Sequence, residues 1–265
     1  MNIPDQRINT VQDTILSFYE EHGRDLPWRE THDPYEVWVS EVMLQQTQVS
    51  RVIPKYTAWV DDYPTVRSLA EAPFKDILNH WDGLGYNNRA KWLHQAAQQI
   101  IAEHDGRVPR TTERLKELPG IGPYTARAIK IFAYNDDVVT VDTNIRRVLI
   151  SELGLDESLE EDDLYDVAEQ LLPHGRSREW HNALMDYGAL VATSDKTGVS
   201  PTSTQDAFEG SVREARANIL RDVQDENKPL DLIKEKYPDR WEEALSGLSD
   251  DDMICVEDDV VTLRS

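Results

Sequence analysis

The stretch LKELPGIGPYTARAIKIF, residues 115–132, contains two helical segments joined by the turn PGIG at residues 119–122. Pro123 suits the first position of the second helix, because a helix start leaves that N–H without a partner in any case. Gly120 and Gly122 allow consecutive backbone amides to point outward beside the positive end of this helix, where phosphate binds well. The same pattern is typical of a tight helical hairpin that binds nothing.

Two cations on the second helix favour the phosphate interpretation. Arg127 and Lys130 lie about one turn apart, so both side chains can flank an anion held at the turn. The stretch therefore predicts a helical hairpin with a phosphate seat.

The segment VVTVDTNIRRVL, residues 138–149, places Asp142 between an extended apolar run and a helix that starts near Asn144. The default role of Asp142 is that of an N-cap. An aspartate held by amides stays ionised at neutral pH and can stabilise a positively charged transition state. Arg146 and Arg147 are then placed either for backbone phosphates or for surface ion pairs.

The segment WVSEVMLQQTQV, residues 38–49, has the apolar spacing of one helix, with Trp38, Val42 and Val49 on a common face. Glu41 borders that face and therefore a core. A carboxyl group in dry surroundings tends to keep its proton, which a general acid requires. The alternative is a glutamate on the helix surface that pairs with a cation.

The segment HWDGLGYNNRAKWLHQAA, residues 80–97, contains a second tight turn, at Gly83 and Gly85. Tyr86 lies at its tip and Arg89 follows one turn later. An exposed aromatic residue beside cations suits a wedge that stacks into a duplex. A buried tyrosine that closes the core explains the pattern equally well.

The chain has 265 residues, of which 39% are hydrophobic, enough for one large domain or two modest ones. Its single cysteine, Cys255, excludes an intrachain disulfide and any site built from several thiolates. No apolar run approaches the roughly 18 residues that span a bilayer, and the start MNIPDQRINT is neither basic nor apolar. We therefore expect a cytoplasmic protein without a membrane partner.

The formal charge of -22 would ordinarily argue against a nucleic-acid partner, because phosphate neutralisation needs Lys and Arg. The acidic residues are spread along the chain, however, whereas arginines gather in particular segments. This pattern indicates halophilic adaptation, in which an acidic surface stays hydrated in concentrated salt. At 1 M salt, charges are screened beyond about 3 Å, so net charge is a poor guide to partners here.

The first two hundred residues predict an all-α fold, since the only β-rich piece, residues 138–141, is four residues long. We expect a helical domain over residues 1–192, a polar linker over 193–207 and a small α+β module over 208–265. In that module, three predicted helices precede the alternating segment MICVEDDVVTL. This is the order of a winged-helix module, although small helical tails with a hairpin are common.

Four motifs in this order, SEVMLQQTQV, GLGYNNRA, LPGIGPYTA and VDTNIRRV, resemble the helix-hairpin-helix DNA glycosylases, whose fold has two helical lobes. The QQTQ after Glu41 is similar to the MutY-type branch, which removes adenine mispaired with 8-oxoguanine or guanine. The resemblance covers about residues 26–193. It implies a monomeric, nucleoid-associated base-excision-repair enzyme whose partner is double-stranded DNA containing a mismatch.

The resemblance also implies roles for individual residues. Glu41 matches the acid that protonates adenine N7, and Asp142 matches the carboxylate that stabilises the sugar cation, with Asn144 as its helper. Tyr124 stands where the related endonuclease III branch has a lysine nucleophile. Without an amine at this position a Schiff base cannot form, so we expect a monofunctional glycosylase with little strand cleavage.

The expected DNA contacts follow from the same resemblance. Gln46 matches a wedge residue near the lesion, and Tyr86 matches a residue that intercalates beside the orphan base. The remaining expected contacts are Thr47, Leu84, Arg89, Gly120, Gly122, Arg127, Lys130 and Arg146.

Two departures from the family pattern change what is expected. Thr193 stands where the first of four cluster-ligating cysteines would be, and no cysteine follows in SDKTGVSPTSTQ, so a [4Fe-4S] cluster cannot form. We expect no metal cofactor, although the hairpin could hold a monovalent cation. We expect the acidic residues 208–265 to take the place of the C-terminal domain with which many adenine glycosylases check for 8-oxoguanine. Two alternatives therefore stay open: a glycosylase for T or U opposite G, and a non-catalytic DNA-binding or scaffold relative.

Overall fold

The computed structural model describes residues 2–200 and 207–264. Up to residue 200 it is built from helices, as the sequence predicted, and short strands follow in the C-terminal module. Within the described residues, no helix is both long and apolar enough to cross a membrane. The helices are α1 Asp5–His22, α2 Pro34–Leu44, α3 Val49–Asp62, α4 Val66–Glu71, α5 Phe74–Trp81, α6 Asn88–Glu103, α7 Thr112–Lys116, α8 Pro123–Tyr134, α9 Thr143–Leu153, α10 Glu161–Gln170, α11 Ser177–Leu190, α12 Ser194–Thr197, α13 Val212–Asp225, α14 Leu230–Lys236 and α15 Trp241–Asp250. The strands are β1 Lys228–Pro229, β2 Ile254–Glu257 and β3 Val260–Leu263.

Contacts between residues divide the chain into two units. The first unit contains the described residues of Met1–Gln45 and Arg107–Thr204, and the second contains those of Gln46–Gly106 and Gln205–Ser265. The C-terminal module therefore belongs to the same unit as α3 to α6.

The core of the first unit forms where α1 and α9 pack on α11, and α2 packs on α8. In α1, Val11 and Ile15 are buried at a spacing of four residues, as the apolar periodicity predicts. Tyr187 and Trp180 on α11 supply the largest aromatic surfaces to this core. Its other buried members are Ile3, Leu16, Val139, Ile145, Val148, Leu149, Val167, Ala168, Leu171, Leu172, Ala183, Leu184 and Ala192.

Helix α2 begins and ends at identifiable local signals. The Asp33 side chain accepts a hydrogen bond of 2.7 Å from the Tyr35 N–H, and Pro34 occupies the first turn. The prediction of one helix through residues 38–49 is wrong, because α2 ends at Leu44 and α3 begins at Val49. The chain turns between them, where Gln46 has a φ of +52° that no helix accommodates.

The second unit combines α3 to α6 with the C-terminal module. Trp59 and Trp81 are fully buried, and their rings meet edge to face at 5.7 Å. In the module, α13 packs on α15, and the strands form an antiparallel sheet in the order β1-β3-β2. Asp258 and Asp259 both have positive φ, which closes the β2–β3 hairpin with a two-residue turn. The predicted order of three helices and a hairpin with an acidic turn is confirmed.

Candidate active site

The hairpin between α7 and α8 has the geometry of a tight turn with an open outer side. Gly120 has a φ of +74°, which favours glycine, and the Ile121 N–H donates to the Leu118 carbonyl at 3.2 Å. Leu118 and Ile121 are buried and anchor the turn in the first unit. A Cβ added at Gly122 would meet nothing within 4 Å, so another molecule can approach the backbone closely here.

The two cations predicted to flank this turn have partners within the first unit. The Arg127 guanidinium lies 4.3 Å from the centre of the Tyr165 ring, and Lys130 Nζ lies 3.9 Å from an Asp136 carboxylate oxygen. Neither contact saturates the side chain, because a guanidinium has five N–H donors and an ammonium has three. Both remain predicted DNA contacts.

Glu41 lies on α2 with 7% of its surface exposed, and the Tyr124 hydroxyl donates a hydrogen bond to its carboxyl group. Burial raises the pKa of Glu41 to about 8, and the negative charge of Asp142 adds to this rise. The Tyr124 hydrogen bond and the charge of Arg29 oppose it. The protonated form of Glu41 is therefore favoured at pH 7. The carboxyl group is prepared to act as a general acid.

Tyr124 is the second residue of α8, directly after Pro123. Burial raises the pKa of its hydroxyl well above the usual value, and the nearby charges of Glu41 and Asp142 raise it further. Tyr124 therefore stays protonated and can keep donating to Glu41.

Asp142 is the N-cap of α9. One of its carboxylate oxygens accepts from the Ile145 N–H at 2.7 Å, and the other accepts from Asn144 Nδ2 at 3.2 Å. Burial raises the pKa of Asp142, whereas these hydrogen bonds and the charge of Arg147 lower it. The charge of Asp142 contributes to the raised pKa of Glu41, so the two carboxyl groups are electrostatically coupled. Burial therefore favours the proton on Glu41, whereas at Asp142 the hydrogen bonds and the charge of Arg147 oppose the rise in pKa that burial causes.

Arg147 is buried, with 9% of its surface exposed, which corrects the expectation that it faces phosphates or surface carboxylates. Its Nη2 donates to Asn144 Oδ1 and to the Gly188 carbonyl, both at 2.7 Å, and its Nε donates to the Ala192 carbonyl. Arg147 therefore fixes the side chain that bonds Asp142. The signal in the sequence was the spacing of three residues from Asn144, which puts both side chains on one helix face.

Gly188 on α11 lies at a close approach to α9. A Cβ added there would lie 2.9 Å from both the Cβ and the carbonyl oxygen of Asn144, closer than such contacts occur. Only glycine lets α11 pack this tightly on the start of α9. Sequence reasoning missed this residue, although a glycine inside a helix is a signal for close packing.

Arg146, the neighbour of Arg147, donates to the Glu157 carbonyl at 2.8 Å and to the Ser200 carbonyl at 3.3 Å. It is half-buried and joins two surface segments of the first unit. Its predicted contact with DNA stays a prediction.

Five of the predicted DNA contacts lie in the second unit. Gln46 is exposed, and Tyr86, with a φ of +48°, has 42% of its surface exposed at the turn of Gly83 and Gly85. Thr47 Oγ1 donates to the Leu84 carbonyl at 3.4 Å. Leu84 itself is only 3% exposed, so its side chain packs inside the unit rather than facing a ligand as predicted.

Arg89, predicted as a DNA contact beside Tyr86, is only 4% exposed, so its side chain packs inside the unit. Its Nη2 donates to the carbonyls of Leu84 and Gly85, at 3.0 and 2.9 Å, and its guanidinium lies 5.6 Å from the centre of the Tyr86 ring. Burial lowers the pKa of Arg89 to about 10, so it remains charged. Arg89 shapes the turn that presents Tyr86.

The residues after α11 do not fit a [4Fe-4S] cluster, which needs four thiolates. Cys255 lies on β2 in the second unit, where its sulfur is 2.9 Å from Thr262 Oγ1. Among residues 2–200 and 207–264, no group of His, Cys, Asp or Glu side chains is arranged to hold a metal ion.

The predicted linker starts with defined structure rather than an irregular chain. Residues 194–197 form α12, Val199 packs against Ile150 and Leu164, and the Ser200 N–H donates to Glu157 at 3.0 Å. The rest of that linker, residues 201–206, lies outside the described residues.

The sequence and the fold have known relatives. Residues 39–173 match the HhH-GPD superfamily of base excision DNA repair proteins. The chain is 37% identical over 266 residues to an adenine DNA glycosylase of Mycolicibacterium smegmatis, and the alignment covers 91% of each chain. It is 39% identical over 202 residues to the human adenine DNA glycosylase, covering 71% of this chain but only 37% of the human enzyme.

Solved structures show the same fold. A thermostable thymine-DNA glycosylase superposes with a TM-score of 0.66 at 30% identity, over 74% of this chain and 94% of that one. A covalent endonuclease III–DNA intermediate superposes with a TM-score of 0.65 at 19% identity, over 76% and 92% of the two chains, which shows the fold alone. These likenesses confirm the helix-hairpin-helix fold predicted from the four motifs. The chain belongs to the HhH-GPD superfamily of base excision DNA repair proteins.

Proposed function

We propose that this chain is a monofunctional DNA glycosylase that removes adenine paired with 8-oxoguanine or guanine in duplex DNA. The observation that carries the proposal is the pair of Glu41 and Asp142: burial favours a proton on Glu41, whereas Asp142 is the N-cap of α9 and accepts hydrogen bonds from Ile145 and Asn144 that oppose its protonation. The choice of adenine as the target base is based on the relatives of the chain, which are adenine DNA glycosylases at 37 to 42% identity in M. smegmatis, human and Mycobacterium tuberculosis.

Each carboxyl group has its own step in the reaction. Glu41 donates its proton to the adenine, at N7 as the family resemblance implies, and the C1′–N9 bond then breaks with its electron pair going to the base. The sugar is left as a cation beside the Asp142 carboxylate, which stabilises it. Water attacks C1′ and gives its proton to the carboxylate now present at Glu41, which restores the acid.

Tyr124 supports the expectation that the DNA strand stays intact. A bifunctional glycosylase cleaves the strand through a Schiff base, which requires an amine. Tyr124 offers a hydroxyl that is bonded to Glu41 and keeps its proton. The product is therefore an abasic site in an uncut strand.

The target base must be flipped out of the duplex to reach these groups, and a mispaired base is flipped out at a lower free-energy cost. Three features support such a substrate: the open backbone at Gly122, the exposed Gln46 and the exposed Tyr86. Because the chain has a formal charge of -22, we expect the enzyme to work in concentrated salt. We expect it to act as a monomer.

A single-turnover assay tests the proposal. Duplexes with A opposite 8-oxoguanine, A opposite G, T opposite G and U opposite G are incubated with the protein in a series of KCl concentrations, and abasic sites are revealed by alkali. We expect excision of adenine, with strand breaks only after alkali. Absence of abasic sites with the folded wild type on all adenine duplexes would overturn the proposal.

A matched pair of variants assigns the acid. Glu41→Gln keeps the shape of the side chain but cannot donate the proton, so we expect the excision rate to fall about 10²- to 10⁴-fold with DNA binding retained. Glu36→Gln, on the same helix and half-buried, controls for the change of charge. Unchanged excision in Glu41→Gln would contradict the role of Glu41, and tight binding without excision in the wild type would instead favour a scaffold protein.

A second candidate function is removal of T or U opposite G. It is favoured by the thymine-DNA glycosylase structure, which is 30% identical in sequence and aligns over 74% of this chain. The pyrimidine duplexes in the same assay separate the two: faster release of T or U than of adenine would replace the first proposal with the second.

A further inference from the structure

The C-terminal module contacts the turn that presents Tyr86. Arg213, in the first turn of α13, donates a hydrogen bond from Nη1 to the Tyr86 hydroxyl at 3.1 Å. The two residues are 127 positions apart in the chain and belong to the same unit. Arg213 is half-buried, and Tyr86 has 42% of its surface exposed.

Two further polar contacts fix the module against the same part of the unit. Arg221 lies on α13 eight residues after Arg213 and therefore on a similar face of the helix. Its Nη2 lies 2.8 Å from a carboxylate oxygen of Asp82, the residue directly before the turn. Lys91 Nζ donates to the Asp251 carbonyl at 2.7 Å and to the Asp252 carboxylate at 3.0 Å. Helix α13 therefore runs beside the turn in a defined register.

The backbone of the turn is already fixed without the module. Gly85 accepts from Trp81 Nε1 at 3.0 Å and from Arg89 at 2.9 Å, and Arg89 also lies against one part of the Tyr86 ring. The side chain of Tyr86 is nevertheless 42% exposed, so part of its ring is open to solvent. The contact at its hydroxyl is the one that depends on the C-terminal module.

We propose that Arg213 is a positioning residue that orients the Tyr86 ring for stacking on DNA bases, so that the C-terminal module takes part in recognising the mismatched duplex. An exposed aromatic ring at a glycine turn stacks on bases at little cost when its orientation is set in advance. The inference rests on the proposed DNA substrate, but it concerns binding and not the chemical step.

A double-mutant cycle on the full chain tests the inference. Arg213→Ala removes the donor and Tyr86→Phe removes the acceptor while keeping the ring. Binding is measured with a duplex that carries 2-aminopurine beside an A opposite 8-oxoguanine mismatch, because 2-aminopurine fluorescence reports base stacking. Arg213→Lys tests rescue by a shorter donor, and Arg67→Ala, an exposed arginine on α4, controls for the loss of one positive charge.

We expect each single variant to weaken binding about 3- to 10-fold and to lower the change in 2-aminopurine fluorescence, since a hydrogen bond to a charged donor is lost. The double variant should be no weaker than the worse single one, because both changes remove the same interaction. Arg213→Lys should recover part of the loss, and Arg67→Ala should bind like wild type. Melting temperatures should stay within about 2 °C of wild type.

Multiplied effects in the double variant, or wild-type fluorescence in Arg213→Ala, would overturn the inference, as would a wild-type protein that does not bind the duplex. The proposed function fails in a different way, since it predicts excision of adenine. A protein that shows the coupling but leaves adenine in place would retain this inference and lose the proposed reaction, whereas excision without coupling would do the reverse.

Discussion

The rate of base excision should depend on pH through Glu41, which must carry a proton to act. Its pKa of about 8 predicts a rate that is level around neutral pH and falls above pH 8, to about a tenth at pH 9. On the acid side of the profile, the excision rate should fall as Asp142 takes up a proton. This fall should occur above pH 3.8, because burial raises the pKa of Asp142 above that value. Because Glu41 and Asp142 interact, the two limbs of the pH–rate profile reflect the titration of the pair. The alkaline limb follows the loss of the proton from Glu41.

Tyr124→Phe should move the alkaline limb upward. The Tyr124 hydroxyl stabilises the charged form of Glu41, and a hydrogen bond to a charged group contributes about 1.5 to 3 kcal/mol. One pH unit corresponds to about 1.4 kcal/mol, so its loss should raise the midpoint by about 1 to 2 units. At pH 9, the variant should therefore keep a larger fraction of its maximal excision rate than the wild type keeps of its own.

Single-turnover rates between pH 5.5 and 10, at constant ionic strength, measure both limbs. Tyr134→Phe is a suitable control, because Tyr134 lies at the other end of α8 and its hydroxyl does not contribute to the pKa of Glu41. An alkaline midpoint below pH 7 in the wild type, or a downward shift in Tyr124→Phe, would refute the assignment of Glu41 as a buried acid bonded by Tyr124.

Three further predictions concern stability and support of the site. The pKa of Glu41 is about 8 in the folded protein and 4.5 in the unfolded chain, so the contribution of Glu41 to stability is present below pH 4.5 and is lost as the pH rises through 8. Glu41→Gln should therefore be a few kcal/mol more stable than wild type at pH 9 and about as stable at pH 5. Urea unfolding at the two pH values measures the difference. Gly188→Ala should push on Asn144 and lower the excision rate by about 10- to 100-fold with a lower melting temperature, and a wild-type rate would contradict the close approach. Arg147→Lys should cost about 2 to 4 kcal/mol of unfolding free energy, whereas Arg146→Ala should cost less than 1 kcal/mol, since only Arg147 is buried.

Local signals predicted most of the helices. The spacing of four residues between Val11 and Ile15 indicates the helix α1, and the alternation after residue 252 predicts the terminal hairpin. The end of α2 could not be predicted in this way, because QQTQ contains neither glycine nor proline. It depends on the positive φ of Gln46, which a single sequence does not reveal.

Charged residues were the least predictable part of the site. Arg89 and Arg147 were expected on the surface because their charge favours water, yet both are buried against backbone carbonyls. The acceptors of Arg147 lie 41 and 45 residues further along the chain, so no local pattern marks them. Glu41 and Asp142 are more than twice as far apart in the chain, and their pairing was predicted from the resemblance of the four motifs to a family.

Hydrogen bonds and apolar packing support Asp142 and the segment that follows α11. Arg147 joins the side chain of Asn144 to the carbonyls of Gly188 and Ala192, at the end of α11. The chain that follows is fixed by burial of Val199 and by the contact of Ser200 with Glu157. An apolar side chain, carbonyl acceptors and the Glu157 carboxylate thus hold the segment in which the family resemblance would place cluster ligands. Because none of these contacts can be oxidised or chelated, the position of Asp142 should be insensitive to both treatments.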